Sequence, residues 1–457
     1  MFANQNNKKG VFTMSKIISL PESYMSILEK MRGVFTEPSF FYFTEQIKGI
    51  LLSPRKAVTR FYLLGDKIKH FTDYHRFFYH YQWEPKDLGL SLLKLIIDTF
   101  KIQQLVLGLD DTLIPKYGRR IWGRALHFDH AAKVNLAQYI KGHNWVTLGV
   151  LQHVAVLKKW VCFPFRSDLF IPEKDRTGTN RESPTKIDIA VSMLKSVKEQ
   201  FSLLSLVLVA DALYAKKKLL RWCIEMNVTM ITRLRSDAAL HAPIKKMTSP
   251  CSKKRGRPAT KGKRLPSLDT MAKQKKYFSP LTLSLYGKMK TVEYRQFHAY
   301  WKPAGAVVNV VIVQYPQKRG STTAYFLSTD CTQSVASILT FVAARWSLEN
   351  AFKDMKQYLG CGSWQCWSER AVVRSVPMTC TAYSTLMLWS HQQVTQFAPT
   401  LWDAMPWNQE KDTVSISDIL YQLKCQCITK SILSILPKDR FSDRKIEQIQ
   451  ELFRIAA

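Results

Sequence analysis

Apolar residues recur at steps of three and four along the first hundred positions, which is the spacing of amphipathic helices. The segments that carry this pattern, with breaks at Pro38 and Pro54, are ESYMSILEKMRGVF, EPSFFYFTEQIKGILL, RKAVTRFYLLGD and DYHRFFYHYQW. Residues 1–13 lack it and are expected to form a disordered leader, so Met14 is a possible natural start. We assign residues 1–100 to a helical region that binds DNA, although a helical scaffold fits equally well because no helix-turn-helix signature is present.

The pattern changes at residue 102 to short apolar runs separated by amphipathic stretches. The predicted strands are IQQLVLGL, HNWVTLGVLQHVAV, KKWVCFPF, LSLVLVAD and VTMITRL, and the predicted helices are IDIAVSMLKSVKEQF and LYAKKKLLRWCIEM. Strands and helices that alternate in this order predict a mixed α/β sheet. Residues 101–232 therefore form the first part of an α/β core.

A basic segment without hydrophobic periodicity follows the core. Residues 245–276 contain twelve Lys or Arg residues and one acidic residue. The strand-like stretches YRQFHAYW, AVVNVVIVQY and TTAYFLSTD come next, so residues 233–331 are predicted to form a basic, β-rich insertion. Residues 333–359 then give the longest helical pattern in the chain, within a core segment assigned to residues 332–395. Residues 396–457 are predicted to be helical.

The charge balance narrows the choice of partner. The chain has 67 Lys and Arg against 35 Asp and Glu residues, a net charge of +32 at pH 7. Such an excess favours polyanions, because each phosphate that binds a basic side chain releases condensed counterions. We therefore expect nucleic acid as the partner and no membrane, since no apolar run reaches the ~18 residues of a spanning helix. The lack of a signal peptide and nine irregularly spaced cysteines predict reduced thiols in the cytoplasm.

The most basic stretch is KKRGRPATKGKR, in which seven of twelve residues are Lys or Arg. Its centre, Arg255-Gly256-Arg257-Pro258, matches the core of an AT-hook. Such a segment lies in the narrow minor groove of A·T-rich DNA, where the negative potential attracts Arg. A generic disordered basic loop explains the same four residues equally well. Arg255 and Arg257 are the candidate DNA contacts.

Two carboxylates directly follow buried apolar runs. Asp110 follows LVLGL and Asp211 follows LVLVA, and a third acid, Glu349, lies inside the long helix. Strand ends of an open α/β sheet form the crevice where ligands collect. Three converging carboxylates repel one another unless a cation lies among them, and oxygen ligands suit Mg²⁺ or Mn²⁺. Asp111 is the alternative to Asp110 as the first acid.

Basic residues share a helix face with the third acid. Arg345, Glu349, Lys353 and Lys356 lie at i, i+4, i+8 and i+11. An exposed face with an Arg–Glu ion pair, worth only about a few tenths of a kcal/mol, is the ordinary explanation. The two strand-end acids and the net charge favour a metal ligand beside DNA phosphates. Lys116, Arg119 and Arg120, close to the first acid, are further candidates for phosphate binding, or a solvated basic loop.

These residues resemble the DDE transposases of bacterial insertion sequences, whose catalytic domain has a ribonuclease H-like fold. The matching segments are LDDT, VADALY and RWSLENAFKDMK, which contains the R-x3-E-x6-K core of the cut-and-paste group, together with the β-rich insertion between the second and third acids. The resemblance covers roughly residues 60–395. The group's Tyr, three residues before the Arg, is replaced here by Val342, so its contact with phosphate is open unless Phe341 substitutes.

The resemblance implies a phosphoryl-transfer enzyme. Asp110, Asp211 and Glu349 would hold two Mg²⁺ (or Mn²⁺) ions, and Arg345 and Lys356 would bind phosphates near the cut. It also implies transposon-end and target DNA as partners, a homodimer in a synaptic complex, a hairpin intermediate, and a nucleoid-associated bacterial protein. Hairpin formation uses an aromatic ring that stacks on a flipped base, for which Trp301, Trp364 and Trp367 are candidates by residue type.

Three other functions stay open at this level. A non-catalytic DNA-binding protein, such as a domesticated transposase, would share the positive charge but has no use for three carboxylates beside DNA. A metal-dependent nuclease without strand transfer would share the acids. A protein of the membrane surface fits least, because the basic residues do not lie on an amphipathic helix with a continuous apolar face.

Overall fold

The computed structural model describes residues 18–65, 69–129, 138–173, 184–244, 261–316, 321–393 and 413–435. The helices of this part of the chain are α1 (Glu22–Glu29), α2 (Glu37–Leu52), α3 (Val58–Leu64), α4 (Phe71–Tyr79), α5 (Pro85–Phe100), α6 (Lys186–Gln200), α7 (Lys217–Glu225), α8 (Leu268–Ala272), α9 (Val335–Tyr358), α10 (Glu369–Gln392) and α11 (Ile416–Ile435). The strands are β1 (Gln104–Pro115), β2 (Ala125–Phe128), β3 (Tyr139–Val154), β4 (Lys159–Phe170), β5 (Ser205–Ala210), β6 (Val228–Arg233), β7 (Leu240–His241), β8 (Ser279–Leu285), β9 (Lys288–Trp301), β10 (Ala306–Pro316) and β11 (Ser321–Ser328).

All eleven strands in the described part of the chain belong to one sheet, and this confirms the predicted mixed α/β fold with a β-rich insertion. The order is β2-β3-β1-β5-β6-β11-β10-β9-β7, with β4 paired to β3 and β8 paired to β9. The apolar runs of β1, β5 and β6 form the parallel centre, since strands buried on both faces have continuous apolar sequences. Strands β3 and β4 extend this centre in antiparallel pairing on one side.

The insertion between β6 and α9 continues the same sheet on the other side. Strands β9, β10 and β11 form an antiparallel meander. Three residue pairs join β11 to β6, from Phe326 opposite Arg233 to Ser328 opposite Ile231. The insertion is therefore hydrogen-bonded to the core through its backbone, and its position relative to the core strands is fixed by that register.

The amino-terminal helices pack on α10, a helix that the pattern analysis did not distinguish. Eighteen of the 24 residues of α10 are buried, so its sequence lacks the polar stripe that marks an amphipathic helix. The side chain of Arg374 is fully buried, donates to the carbonyl oxygens of Phe78 (3.1 Å) and Tyr81 (3.0 Å), and lies over the Trp83 ring. These bonds satisfy carbonyl groups at the end of α4 and fix the helical region to the core.

Two further features of the described residues concern membrane-spanning helices and cysteine thiols. Within the described residues, none of the helices is long and apolar enough to cross a membrane. The eight cysteines in the same part of the chain carry free thiols.

Candidate active site

The register of the parallel strands sets two of the predicted acids side by side. The last pair between β1 and β5 joins Leu109 to Ala210, so Asp110 and Asp211 are the next residues on neighbouring strands. Asp110 does not end its strand, as the sequence had suggested, because β1 remains paired with β3 as far as Pro115. The parallel pairing of β1 with β5 ends at Leu109, and the end of this pairing leaves a crevice beside Asp110.

Helix α9 brings the third acid to the same place. The Arg345 guanidinium donates one hydrogen bond to Asp110 Oδ2 (2.6 Å) and another to Glu349 Oε1 (2.8 Å). Arg345 and Asp110 are 17% and 19% exposed, and Glu349 is 34% exposed, so the pairing is only partly screened by water. The ordinary i,i+4 pair of Arg345 with Glu349 is therefore present, and the same guanidinium also bridges to Asp110 on β1, an element distant in sequence.

Burial and charge act in opposite directions on the Asp110 carboxyl. Desolvation raises its pKa to about 6, although the positive charge of Arg345 opposes that rise. The nearby Glu349 carboxylate adds to the rise. For Arg345, burial alone would lower the pKa, but the charges of Asp110 and Glu349 outweigh it and the pKa is raised. The site therefore favours a cation close to Asp110.

The neighbouring Asp111 belongs to a different environment. Its Oδ2 accepts a hydrogen bond from Lys186 Nζ (2.6 Å), and its Oδ1 accepts one from the buried Tyr214 hydroxyl (3.2 Å). Successive side chains of a strand point to opposite faces of the sheet, so Asp111 points away from α9 where Asp110 points towards it. Tyr214 follows Asp211 by three residues, and its bond to Asp111 links the segments that carry the first two acids.

The three carboxylates suit a hard divalent cation, and the Arg345 guanidinium competes with such a cation for Asp110 and Glu349. All three side chains offer carboxylate oxygens, the preferred ligands of Mg²⁺ and Mn²⁺. Among the described residues, no three His, Cys, Asp or Glu side chains are grouped closely enough to hold a metal as they stand. The guanidinium of Arg345 instead lies between Asp110 and Glu349. A cation that used both carboxylates would replace that bridge.

The predicted basic residues near the acids differ in what they contact. Lys356 Nζ donates to the carbonyl oxygen of Leu113 (3.0 Å), and Lys353 is exposed one turn earlier on α9. The Lys116 ammonium donates to the carbonyl oxygens of Gly362 (2.6 Å) and Trp364 (3.0 Å), so its visible contacts join β1 to the segment after α9. By contrast, the side chains of Arg119 and Arg120 are exposed. Arg255 and Arg257 lie outside the described residues.

A cavity that sequence analysis did not anticipate opens beside Arg345. It has a volume of about 720 Å³ and lies between α9 and the insertion. Arg345, Arg233 and Lys290 contribute positive charge to its lining, and Tyr286 and Trp346 contribute aromatic rings that are 58% and 50% exposed. Cations and accessible rings in one cavity suit an unpaired nucleotide, whose phosphate and base they would bind.

Trp346 is relevant to the Tyr of the family signature, which lies three residues before the Arg and is replaced here by Val342. Val342 lines the cavity, and Trp346 follows it by one helical turn on the same face. Phe341 instead packs against the Trp160 ring on β4, with ring centroids 6.3 Å apart. Helical spacing from Val342 was the signal that could have identified Trp346. Of the tryptophans chosen by residue type, Trp301 and Trp364 are buried and Trp367 is 60% exposed.

Comparison with known families now adds to the geometry. The family described as "DDE superfamily endonuclease" matches residues 48–299, which is more than half of the chain. The chain belongs to this superfamily. Comparison with curated proteins gave no match. Membership makes the protein a nuclease of ribonuclease H-like fold that acts on DNA and belongs to a group generally dependent on divalent metals. The matched segment contains Asp110 and Asp211, and Glu349 lies beyond it.

Proposed function

We propose that this DDE endonuclease is the transposase of a bacterial insertion sequence. It would nick DNA at the ends of its element and join those ends to target DNA. Asp110, Asp211 and Glu349 would be its catalytic carboxylates. The observation that carries the proposal is the Arg345 bridge, which joins Asp110 to Glu349 while Asp211 follows the neighbouring strand.

The three carboxylates would hold divalent cations, with two Mg²⁺ or Mn²⁺ ions per site as the proposed number. Such ions, when bound, activate a water or a 3′-hydroxyl group and stabilise the oxygen that leaves phosphorus. The backbone pairing of β1 with β5 sets the separation of Asp110 and Asp211 before any substrate arrives. Glu349 is carried by α9, a 24-residue helix packed on the sheet, so its position is equally fixed.

Arg345 would have two partners in succession. Without DNA it neutralises Asp110 and Glu349, whose mutual repulsion would otherwise destabilise the folded protein. A DNA phosphate offers the same guanidinium a bidentate acceptor of similar geometry. Lys353 and Lys356 lie on later turns of α9 and would extend this phosphate contact along the helix, and the exposed Arg119 and Arg120 would add phosphate contacts from the segment after β1.

The cavity beside Arg345 supports a hairpin intermediate and a cut-and-paste reaction. Closing a hairpin requires sharp bending of the strand, which extrudes a base from the duplex. Trp346 would stack on that base, while Arg233 and Lys290 would bind its flanking phosphates. Trp346→Ala is then expected to reduce hairpin formation at least about tenfold and to leave the first nick within about threefold, as measured on denaturing gels. Trp367→Ala, the exposed candidate outside this cavity, is the comparison, and a hairpin defect in that variant alone would assign the stacking role to Trp367.

The test of the whole proposal is an assay of the products. The protein would be incubated with duplexes that carry its element's ends, a target plasmid and Mg²⁺ or Mn²⁺. Nicks, hairpins and joined products are expected, with paired ends held by a dimer. Cleavage without any joined product would support instead a nuclease that lacks strand transfer. DNA binding without cleavage in either metal would support a domesticated DNA-binding protein.

The remaining proposals concern the organisation of the chain. We keep residues 1–100, 101–232, 233–331, 332–395 and 396–457 as the working division into regions. The first of these would contact DNA through its exposed helix faces. Its buried contacts with α10 would at the same time hold it against the catalytic core.

A further inference from the structure

Residues 240–242 and residues 262–265, which include the last residues of the KKRGRPATKGKR stretch, are held together at the outer edge of the sheet. Ala242 N donates to Lys263 O (2.9 Å), and Leu265 N donates to Leu240 O (2.9 Å). His241 forms an antiparallel bridge with Arg264 between these bonds. Strand β7, which carries this arrangement, is the last strand of the sheet. Lys263 and Arg264, the last two residues of that stretch, are therefore held at a fixed place beside β7.

Positive charge collects at that anchor. A cavity of about 440 Å³ is lined by His241, Lys261, Arg264, Trp301 and Lys302, together with two small apolar residues. Among the described residues that line it there is no Asp or Glu, and the Lys261, Arg264 and Lys302 side chains are exposed. We call these three residues with the adjacent, exposed Lys263 the distal basic patch. Cations without acidic partners favour an anion with closely spaced charges.

The distal basic patch lies far from the three acids. Six strand pairings separate β1, which carries Asp110, from β7. Neighbouring strands lie about 4.8 Å apart, so the separation across the sheet is on the order of 30 Å. The order of the chain does not reveal this distance, because the patch residues lie between the second and third acids in the sequence.

The patch is also displaced along the strands. Arg233, at the level of Asp211, is opposite Phe326 on β11. Phe326 is opposite Val311, which in turn is opposite Gln296 on β9. Strand β7 pairs at Trp301, five residues further along β9. The patch thus lies towards the opposite end of the sheet from the acids, and it cannot contact the phosphate that is cut.

We propose that the distal basic patch binds the phosphate backbone of the same DNA duplex about one helical turn from the cleaved bond. The position of the cut rests on the proposed function. The phosphate contact itself is inferred from the charge and the exposure of the patch. A separation on the order of 30 Å equals about nine base pairs at 3.4 Å per pair. Phosphate contacts set the register of a protein on DNA, so the patch would fix the distance between end recognition and cleavage.

A different role for the same lysines must be separated from this one. Charged side chains on an edge strand prevent that edge from pairing with another molecule. That role needs only charge at the edge and gives no DNA contact. The two explanations differ in the salt dependence of DNA binding, because only a phosphate contact releases counterions from DNA.

The first experiment compares two double variants of the full chain that lose the same charge. Arg264→Ala with Lys302→Ala removes two cations of the patch, and Lys195→Ala with Lys198→Ala removes two from α6. Binding to a 30-base-pair duplex of arbitrary sequence is measured over a range of NaCl concentrations. We expect the slope of log Kd against log [NaCl] to fall by about two for the patch variant and to stay unchanged for the α6 variant. An unchanged slope in the patch variant overturns the proposal.

The second experiment locates the contact. Hydroxyl-radical footprinting uses a duplex that carries the element's end and its flanking DNA. Wild-type protein is expected to protect the cut site and phosphates about nine base pairs from it, and the patch variant is expected to lose the distant protection alone. Distant protection that persists in the variant contradicts the proposal. A wild-type protein with the full salt slope that never cuts DNA would contradict the proposed function while supporting the patch as a DNA contact.

Discussion

The centre of the sheet and its β7 edge carry different electrostatic environments. Beside the parallel pair β1–β5, acids and a base lie in contact, partly buried, and Asp110 is held within 2.6 Å of Arg345. At the β7 edge, exposed cations line a cavity without an acidic partner among the described lining residues. Buried opposite charges position one another and resist salt, whereas exposed like charges attract polyanions from solution. The first environment suits chemistry at one phosphate, and the second suits contact with many.

The largest effect should come from the second and third acids. Asp211→Asn or Glu349→Gln is expected to lower cleavage of end DNA by at least about a thousandfold, because each removes a charged ligand from the metal-binding set. Binding of the same DNA should stay within about threefold. Rates from single-turnover cleavage and affinities from fluorescence anisotropy check this. Cleavage at the wild-type rate by either variant would refute the site assignment.

A matched pair of substitutions separates the two candidates for the first acid. Asp110→Asn is expected to match the loss seen for Asp211→Asn, since it faces α9 and Glu349. Asp111→Asn removes an ion pair with Lys186 on the other face, so cleavage should fall by less than about tenfold. Both variants are assayed on one DNA substrate under single-turnover conditions. If Asp111→Asn were the inactive variant of the two, the assignment would be reversed.

Substitution of Arg345 should have an intermediate effect on metal affinity, which is measured without catalysis. Arg345→Gln removes the cation that competes for Asp110 and Glu349, so Mn²⁺ should bind the DNA-free protein more tightly, by about tenfold. Cleavage should fall at the same time, because the phosphate contact is lost. Isothermal titration calorimetry with Mn²⁺ measures the first effect. Arg264→Gln, at the β7 edge of the sheet, should leave Mn²⁺ affinity unchanged, and weaker Mn²⁺ binding by Arg345→Gln would contradict the competition.

The smallest effect concerns the packing beneath the acids. Tyr214→Phe removes one part-buried hydrogen bond to Asp111, so the free energy of unfolding should fall by about 0.5–1.5 kcal/mol. The registers of β1 and β5 are set by the backbone, so cleavage should change by less than about threefold. Urea unfolding followed by circular dichroism gives the first value. A loss of cleavage comparable to that of Asp110→Asn would show that the tyrosine acts on the acids directly.

The sequence by itself determined the elements that carry the chemistry. Continuous apolar runs predicted β1 and β5, and a 3.6-residue pattern predicted α9, because burial on two faces or on one face leaves these periods in the chain. The three acids and the motifs that carry the family resemblance could be identified for the same reason, since these residues lie within or directly after those elements. By contrast, the largely buried α10 has no polar face, and local pattern alone did not reveal it.

Only the tertiary structure decided which side chains meet. Asp110 and Arg345 are 235 residues apart in sequence, and their contact depends on how α9 packs on the sheet. The separation of Asp110 from Asp111 depends on which face of β1 meets α9. Arg264 precedes the third acid in the chain, yet it lies beside β7, six strand pairings from the strand of the first acid. The reason is that the insertion extends the sheet outward. Distance along a chain does not set distance in space, and hydrogen-bond pairing between strands does.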